Sequence, residues 1–350
     1  MRAFATGGAN GDSGLLDADC PDVYFTSAYG AATALVDSGT WQVVHERDRL
    51  ILPYVSRPAS EIDVDAATPY GYAGVHVDAG CSTADVARFW GRTVEHWRQT
   101  RTVAAFLRFS PLDPASLDAV RALGQVQLTR RQDTVTVQVS DGPDRMWDGM
   151  EGRSRTAIRK ARNAGLSATV RPAAPVDLAA GAPFRRLYEA TMIRLESQPW
   201  YLFPDVYYQA LAGGLGKALH LAEVRDTGGA VVACALVLRH RDRAHYHLAG
   251  SDLSAGRVGA NNLLVWTILA WAAEHGCHLV HLGGGLRPDD GLFRFKRSFG
   301  GFRTQFWTGS VVVDPERYAA LVDVRARQLG VSTHDLLSTG FFPAYRATTH

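Results

Sequence analysis

Two short runs rich in apolar, β-branched and aromatic residues, 41–46 (WQVVHE) and 50–55 (LILPYV), lie either side of the charged link Arg47-Asp48-Arg49. This pattern predicts a β-hairpin. Upstream, residues 1–20 are small and polar and predict a loose start or a short edge strand. Val86, Phe89, Trp90, Val94 and Trp97 recur at helical spacing behind Ser82 and Thr83, either of which can cap a helix. A buried strand over 104–109 stops at Ser110-Pro111, a short helix follows over 112–123, and a strand over 134–139 breaks at Ser140-Asp141-Gly142-Pro143. The second half reads as a basic helix ending at Gly165, a strand over 167–171, a helix over 183–195 and a helix over 205–211. Strands over 218–225, 231–240 and 244–251 come next, then a polar loop over 252–259, a helix over 260–274 and a strand over 278–282. A helix over 291–299, β character over 302–312 and a helix over 315–329 close the chain. Three antiparallel strands feeding a helix and a further strand describe an α+β layer with a mixed sheet, not a Rossmann core.

At 350 residues the chain has room for about two domains of roughly 150 residues each. The break places the boundary near 148, giving domains over 1–148 and 149–313. A hydrophobic share of 46% supports a sizeable core, and 37 basic against 35 acidic side chains exclude a strongly cationic protein. Lys160, Lys217 and Lys296 are the only lysines. Cys20, Cys81, Cys234 and Cys277 form no CxxC pair and read as buried thiols of a reducing compartment. No signal peptide and no run of 18 apolar residues is present, so a cytoplasmic protein without membrane insertion is expected. There are no repeats and no low-complexity linker.

Five cations, Arg153, Arg155, Arg159, Lys160 and Arg162, occupy ten residues of one helix, with Arg155, Arg159 and Arg162 near one face. A solvated helix and a phosphate-binding surface are both open readings. Gly283-Gly284-Gly285 directly after a strand marks a place where backbone must approach a ligand or another segment closely. Behind it, Phe295 and Phe299 share a helical face and Lys296 follows Phe295. This lysine is either an oxyanion or phosphate ligand, or a snorkelling cation on a core helix. The loop over 254–260 is either a phosphate cradle or a plain helix cap. Among twelve histidines, His245 and His247 share a strand face, and His275, His278 and His281 lack the spacing of a zinc helix. Only His281, at a strand end, is kept as a candidate proton carrier. HExxH, GxSxG, Walker A and GxGxxG patterns are absent, and no metal is expected.

The ordered features 184–194 (FRRLYEATMIR), 221–238 with its Gly-Gly turn, 246–251, Asn261-Asn262, His281 to Gly285 and 292–300 (LFRFKRSFG) resemble the FemABX family of aminoacyl-tRNA-dependent peptidyl transferases. They also resemble acyltransferases of related GNAT-like fold. In the first half, 25–29, 69–74, 108–111 and 155–165 fit the same family. The resemblance implies two GNAT-like domains of mixed sheets flanked by helices, a cleft between them, and a C-terminal tail, 314–350, packed back on the first domain. The long helical arm of staphylococcal-type members is missing, which favours a compact form. The resemblance further implies a monomer with no bound cofactor. It would take charged tRNA as co-substrate and a muropeptide or small amine as acceptor.

Carried over position by position, Lys296 would stabilise the charge on the reacting carbonyl and Phe295 would shape that site. Arg194 and Tyr246 would contact the acceptor, Arg194 at its phosphate. Tyr70 and Tyr72 would line the cleft, Gly283, Gly284 and Asn261 would border the substrate, and Arg155, Arg159, Lys160 and Arg162 would touch tRNA. An acyl-CoA-dependent N-acyltransferase is the alternative, although Gly256 and Asn261 depart from the Gln/Arg-x-x-Gly-x-Gly/Ala pattern of a CoA loop. A non-catalytic binding module of the same fold is the third reading.

Overall fold

A computed structural model describes residues 4–8, 17–46 and 49–348. The chain forms two compact units, one from Met1–Arg131 and Phe306–His350, the other from Gln132–Gln305. The first unit begins with β1 (Phe4–Gly8), α1 (Ser27–Val36), β2 (Thr40–Glu46), β3 (Leu50–Pro58), β4 (Val64–Ala67) and β5 (His76–Val77). It continues through α2 (Thr83–Gln99), β6 (Thr102–Arg108), α3 (Pro114–Ala122) and β7 (Gln127–Arg130). The second unit holds β8 (Thr134–Gln138), α4 (Gly142–Gly149), α5 (Gly152–Asn163), β9 (Ser167–Pro172), α6 (Pro183–Arg194), α7 (Asp205–Leu215) and β10 (Leu219–Arg225). Then come β11 (Val231–His240), β12 (Arg243–Ser251), α8 (Leu253–Arg257), α9 (Ala260–Glu274), β13 (Leu279–Gly284), α10 (Gly291–Arg297) and β14 (Phe302–Thr304). The chain returns to the first unit with β15 (Trp307–Val312), α11 (Pro315–Leu329) and α12 (Thr333–Ser338).

In the first unit the strands run β1-β2-β3-β4-β6-β15-β7, with β5 on β3. Ser82 caps α2 in a reciprocal capping box with Asp85, and the helix buries Val86, Phe89, Trp90, Thr93 and Trp97. Full burial of an aromatic side chain such as Phe89 contributes about 1.5–3 kcal/mol. Behind α11, residues Val103, Val322, Ala326, Leu336, Ala344 and Tyr345 make a separate small core. Asp65, fully buried, joins this tail to the sheet: it accepts from Arg57 at 2.7 Å, from Tyr345 at 3.2 Å, and from Arg346.

In the second unit the order is β14-β8-β13-β12-β11-β10-β9. β10, β11 and β12 pair antiparallel, and the crossover through α9 returns β13 parallel to β12. α9 is apolar on every side because it is enclosed, burying Leu263, Leu264, Val265, Trp266, Ile268, Leu269 and Trp271. Gly250 lets α6 approach β12, since a side chain there would meet the Leu187 carbonyl at 2.4 Å.

Several sequence expectations need revision. The boundary falls at 131/132 and again at 305/306, so β8 and α4 belong to the second unit and β15 to the first. The break at 140–143 starts a helix within the second unit and marks no domain boundary: Gly142 takes φ +85° and Pro143 fits the first turn of α4. The β stretch over 302–312 is two strands in different sheets, β14 on β8 and β15 between β6 and β7. The loop over 252–259 contains α8. Of the hairpin link, Arg47 and Asp48 lie outside the described residues, as do 1–3 and 9–16 of the expected loose start; β1 within that start pairs with β2 at the sheet edge.

Candidate active site

Parallel pairing of β12 with β13 covers only Arg243 to His245 against Leu279 to His281. Beyond that rung β12 runs on to Ser251 and β13 to Gly284, so the strands part into a fork. Lys296 of α10 bridges the fork. Its Nζ donates to Gly284 O at 2.7 Å on the β13 side and lies 5.9 Å from the Tyr246 ring centroid on the β12 side. The side chain is 7% exposed, and Gly284 O is its sole hydrogen-bond acceptor among the described residues. Burial pushes its ammonium down to about 8, against an opposing pull from the Asp290 carboxylate. The group is still mostly protonated at neutral pH, yet more acidic than an exposed lysine. Burial pushes the Tyr246 phenol up, so it stays neutral.

The glycine triplet builds this corner from within. Gly283 takes φ +72° where the β13–β8 register shifts, a bulge that a side chain would strain. A Cβ on Gly284 would meet Asp133 O at 2.9 Å, and one on Gly285 would meet the Asp290 carboxylate at 2.2 Å. Asp290 caps α10 through Phe293 N at 2.8 Å and receives Leu286 N and Arg287 N on its other oxygen. Partial burial opposes its ionisation, but these backbone donors outweigh it and hold the carboxyl below the usual range. The close approach expected of the triplet is therefore to another chain segment.

The far end of α10 is seated on the α4–α5 junction. Ser298 Oγ donates to Phe295 O at 2.6 Å, so the buried Ser154 hydroxyl is the donor in the 2.6 Å Oγ–Oγ bond between Ser154 and Ser298. Glu151 N donates to Ser298 O, and Arg153 Nη2 to Arg294 O. Phe295 packs edge-on against Phe299 at 5.2 Å and so steadies the helix that carries Lys296. Sequence reasoning reads a capped helix start at Asp289-Asp290 but passes over Ser154 and Ser298. The Asp290-to-Phe293 spacing was a readable cap signal, whereas nothing in the sequence joins 154 to 298.

The remaining predicted residues fall in different places. Arg194 ends α6 and donates to Ser251 O and Thr191 Oγ1, both at 3.3 Å, roughly 15 Å along β12 from Tyr246 by strand rise. Of the α5 cations, Arg155 Nη1 is spent on the Trp147, Asp148 and Met150 carbonyls at the end of α4. Arg159 and Arg162 lie over the Trp147 ring at 5.3 and 5.9 Å, and Lys160 donates to Arg257 O at 3.0 Å. None of these four has a carboxylate partner among the described residues. The loop ahead of α9 is no open cradle: Gly256 N, Val258 N and Gly259 N donate to Asp252, Ala255 and Gly256 carbonyls. Gly259 at φ +91° accommodates Ala157 O of α5 in place of a ligand. Asn261, half-buried, stands in the first turn of α9.

His281 is buried at the last paired rung, its ring 5.7 Å from that of His245. His247 meets Tyr207 OH at 3.1 Å, and burial together with His245 pushes it down to about 3. No group of three or more His, Cys, Asp or Glu among the described residues is arranged to hold a metal. No helix among them is long and apolar enough to cross a membrane. Tyr70 and Tyr72 belong to the first unit. There Tyr70 O accepts from Tyr29 OH at 2.7 Å, and Tyr72 packs edge-on against Tyr24 and Phe306.

Comparison with known proteins agrees with this architecture. Residues 152–297, from the start of α5 to the end of α10, match the family described as an acetyltransferase (GNAT) domain. No curated protein matches the chain significantly. Among solved structures, FemX superposes with a TM-score of 0.65 at 12% identity, over 85% of this chain and 94% of its own. The C-terminal domain of a protein of Agrobacterium fabrum described as a lysylphosphatidylglycerol synthetase gives 0.54 at 14%, over 81% and 87%. L-PGS of Bacillus licheniformis gives 0.53 at 12%, over 81% and 86%. The chain thus has a tandem GNAT-like fold, resembles the FemABX proteins, and over 152–297 of its second unit is similar to an acetyltransferase (GNAT) domain.

Proposed function

We propose that the protein is an aminoacyltransferase that moves an aminoacyl group from charged tRNA to the amine of a peptidoglycan precursor or small natural-product acceptor. The observation that carries this reading is Lys296: a buried ammonium at a strand fork, anchored by one carbonyl and acidified by its surroundings. In the step, the amine nitrogen attacks the ester carbonyl, the C–N bond forms, and the carbonyl electron pair moves onto oxygen. The Lys296 ammonium donates to that oxyanion, an interaction that strengthens as charge develops and is worth about 3–4 kcal/mol for a single donor in a dry site. Collapse breaks the ester C–O bond, and the proton lost from nitrogen ends on the released tRNA hydroxyl. The ester is already activated, so positioning and charge stabilisation carry the reaction without a dedicated base. Arg159, Lys160 and Arg162 supply phosphate contacts on α5, and Tyr246 and Arg194 meet the acceptor.

The match of 152–297 to an acetyltransferase domain favours one second reading, an acyl-CoA N-acyltransferase. Against it stand the backbone donors of Gly256, Val258 and Gly259, already used within the chain. Charged tRNA and candidate amines, with and without ribonuclease pretreatment of the donor, distinguish the two. Product that requires intact tRNA is expected. Product that survives ribonuclease, or that forms from acyl-CoA, overturns the tRNA reading.

A further inference from the structure

Away from Lys296, the first unit turns two arginines toward one spot and places nothing anionic on either. Arg108 ends β6 directly opposite Thr308 of β15, and cross-strand partners project on one face. Arg131 follows β7 on the other side of β15, and its Nε donates to Thr308 Oγ1 at 2.9 Å. The buried Thr308 therefore lies on the strand between the two that lead to these arginines, and the Arg108 charge is felt at Arg131. Arg108 Nε donates to Gly71 O at 2.9 Å, and its guanidinium carbon lies 5.5 Å from the Tyr70 centroid and 5.2 Å from the Phe306 centroid.

This arrangement is built, not incidental. Gly71 takes φ +111° with the Tyr24 ring 2.4 Å from where a Cβ would be, so only glycine can aim that carbonyl at Arg108. Each arginine is tethered by its Nε to a neutral acceptor. Among the described residues, the Nη groups of both lack a hydrogen-bond acceptor and neither guanidinium has a carboxylate partner. Burial, with the Arg108 charge, pushes Arg131 below its ordinary range. Two like charges held together cost stability unless an anion joins them. Paired guanidinium forks match tetrahedral oxyanions bidentately, and a phosphate monoester carries close to two negative charges at neutral pH.

We propose that Arg108 and Arg131 bind the phosphate group of a small ligand, with Tyr70 and Phe306 as walls for its flat or apolar body. The proposal stands independently of acyl transfer at Lys296. Calorimetric titration of the full chain with inorganic phosphate, phenyl phosphate and acetate at fixed ionic strength tests it. Phosphate and phenyl phosphate are expected to bind in preference to acetate. Arg108→Gln and Arg131→Gln should each weaken both phosphates about tenfold or more. Phe306→Leu should weaken phenyl phosphate but not inorganic phosphate. Arg131→Gln should leave Tm unchanged or raised, because it relieves repulsion, which a purely structural arginine would not do. Lys296→Ala and the double variant Arg159→Gln/Arg162→Gln should bind as wild type does. The proposal is overturned if neither phosphate binds, if acetate binds equally well, if Arg108→Gln/Arg131→Gln retains wild-type affinity, or if the α5 variant alone loses it.

Discussion

Lys296 has the features of a charge held ready for another charge. A lysine on a core helix that merely snorkels would keep its head in water and its ordinary pKa. Here the head is inside, bonded to Gly284 O, and pushed down to about 8. Two outcomes follow at this residue. Lys296→Met should abolish turnover, by about a hundredfold or more, while Tm at pH 7 stays level or rises because a buried ammonium is removed. The second concerns pH. The folded value of about 8 lies below the ordinary 10.5, so between these the unfolded chain holds the extra proton. Stability therefore rises from pH 8 to 10.5, and the cost of burying the ammonium applies in full below pH 8. Urea unfolding at pH 7 and pH 10 should show an increment, on the order of 3 kcal/mol at most, that is missing in Lys296→Met. Activity should run the other way, falling as pH passes about 8 and the ammonium is lost. An activity that climbs through that range would remove the oxyanion role. The aromatic and basic run around 296 was visible in the sequence. Its burial was not, because that depends on a fork between two strands separated in the chain by α8 and α9.

Among the elements, α10 is fixed at both ends, by Asp290 at its start and by Ser154 through Ser298 at its finish. Gly285→Ala would drive a Cβ into the Asp290 carboxylate and should cost about 1–2 kcal/mol by releasing the cap, with lowered turnover. Circular dichroism melts and kinetics on the same preparation check both. Ser298→Ala leaves the buried Ser154 hydroxyl without its acceptor and should cost about 1–3 kcal/mol, whereas Ser154→Ala leaves Ser298 its bond to Phe295 O and should cost less. Equal losses in a urea-unfolding comparison would refute that donor assignment. The helix α2, with its apolar period and its Ser82 cap, and the β10–β11–β12 meander were legible, and α6 and α9 were legible as spans although neither carries a side-chain cap and α9 is apolar all round. The four-residue strands β4 and β7 carry too few residues to show a period. The division of 302–312 into β14 and β15 is invisible to periodicity because both halves are β. Only the change of sheet partner separates them.

For the whole molecule, Asp65 ties the C-terminal segment to strands laid down some 280 residues earlier, as its bond to Tyr345 shows. Asp65→Asn should cost about 3–5 kcal/mol, since it leaves Arg57 and Arg346 without their shared carboxylate. Limited proteolysis should then cut first within the last segment. A cleavage pattern unchanged from wild type would argue that the small core behind α11 suffices. The same long return governs how the protein is made. β6 and β7 are both synthesised before residue 132, but the strand that joins them, β15, emerges only after residue 306. Residues 132–305 are contiguous and complete on the ribosome while the earlier half still waits with two open strand edges. The later-made unit should therefore mature first, reversing the usual amino-to-carboxyl order. A nascent chain stalled before β15 would be the form most exposed to aggregation.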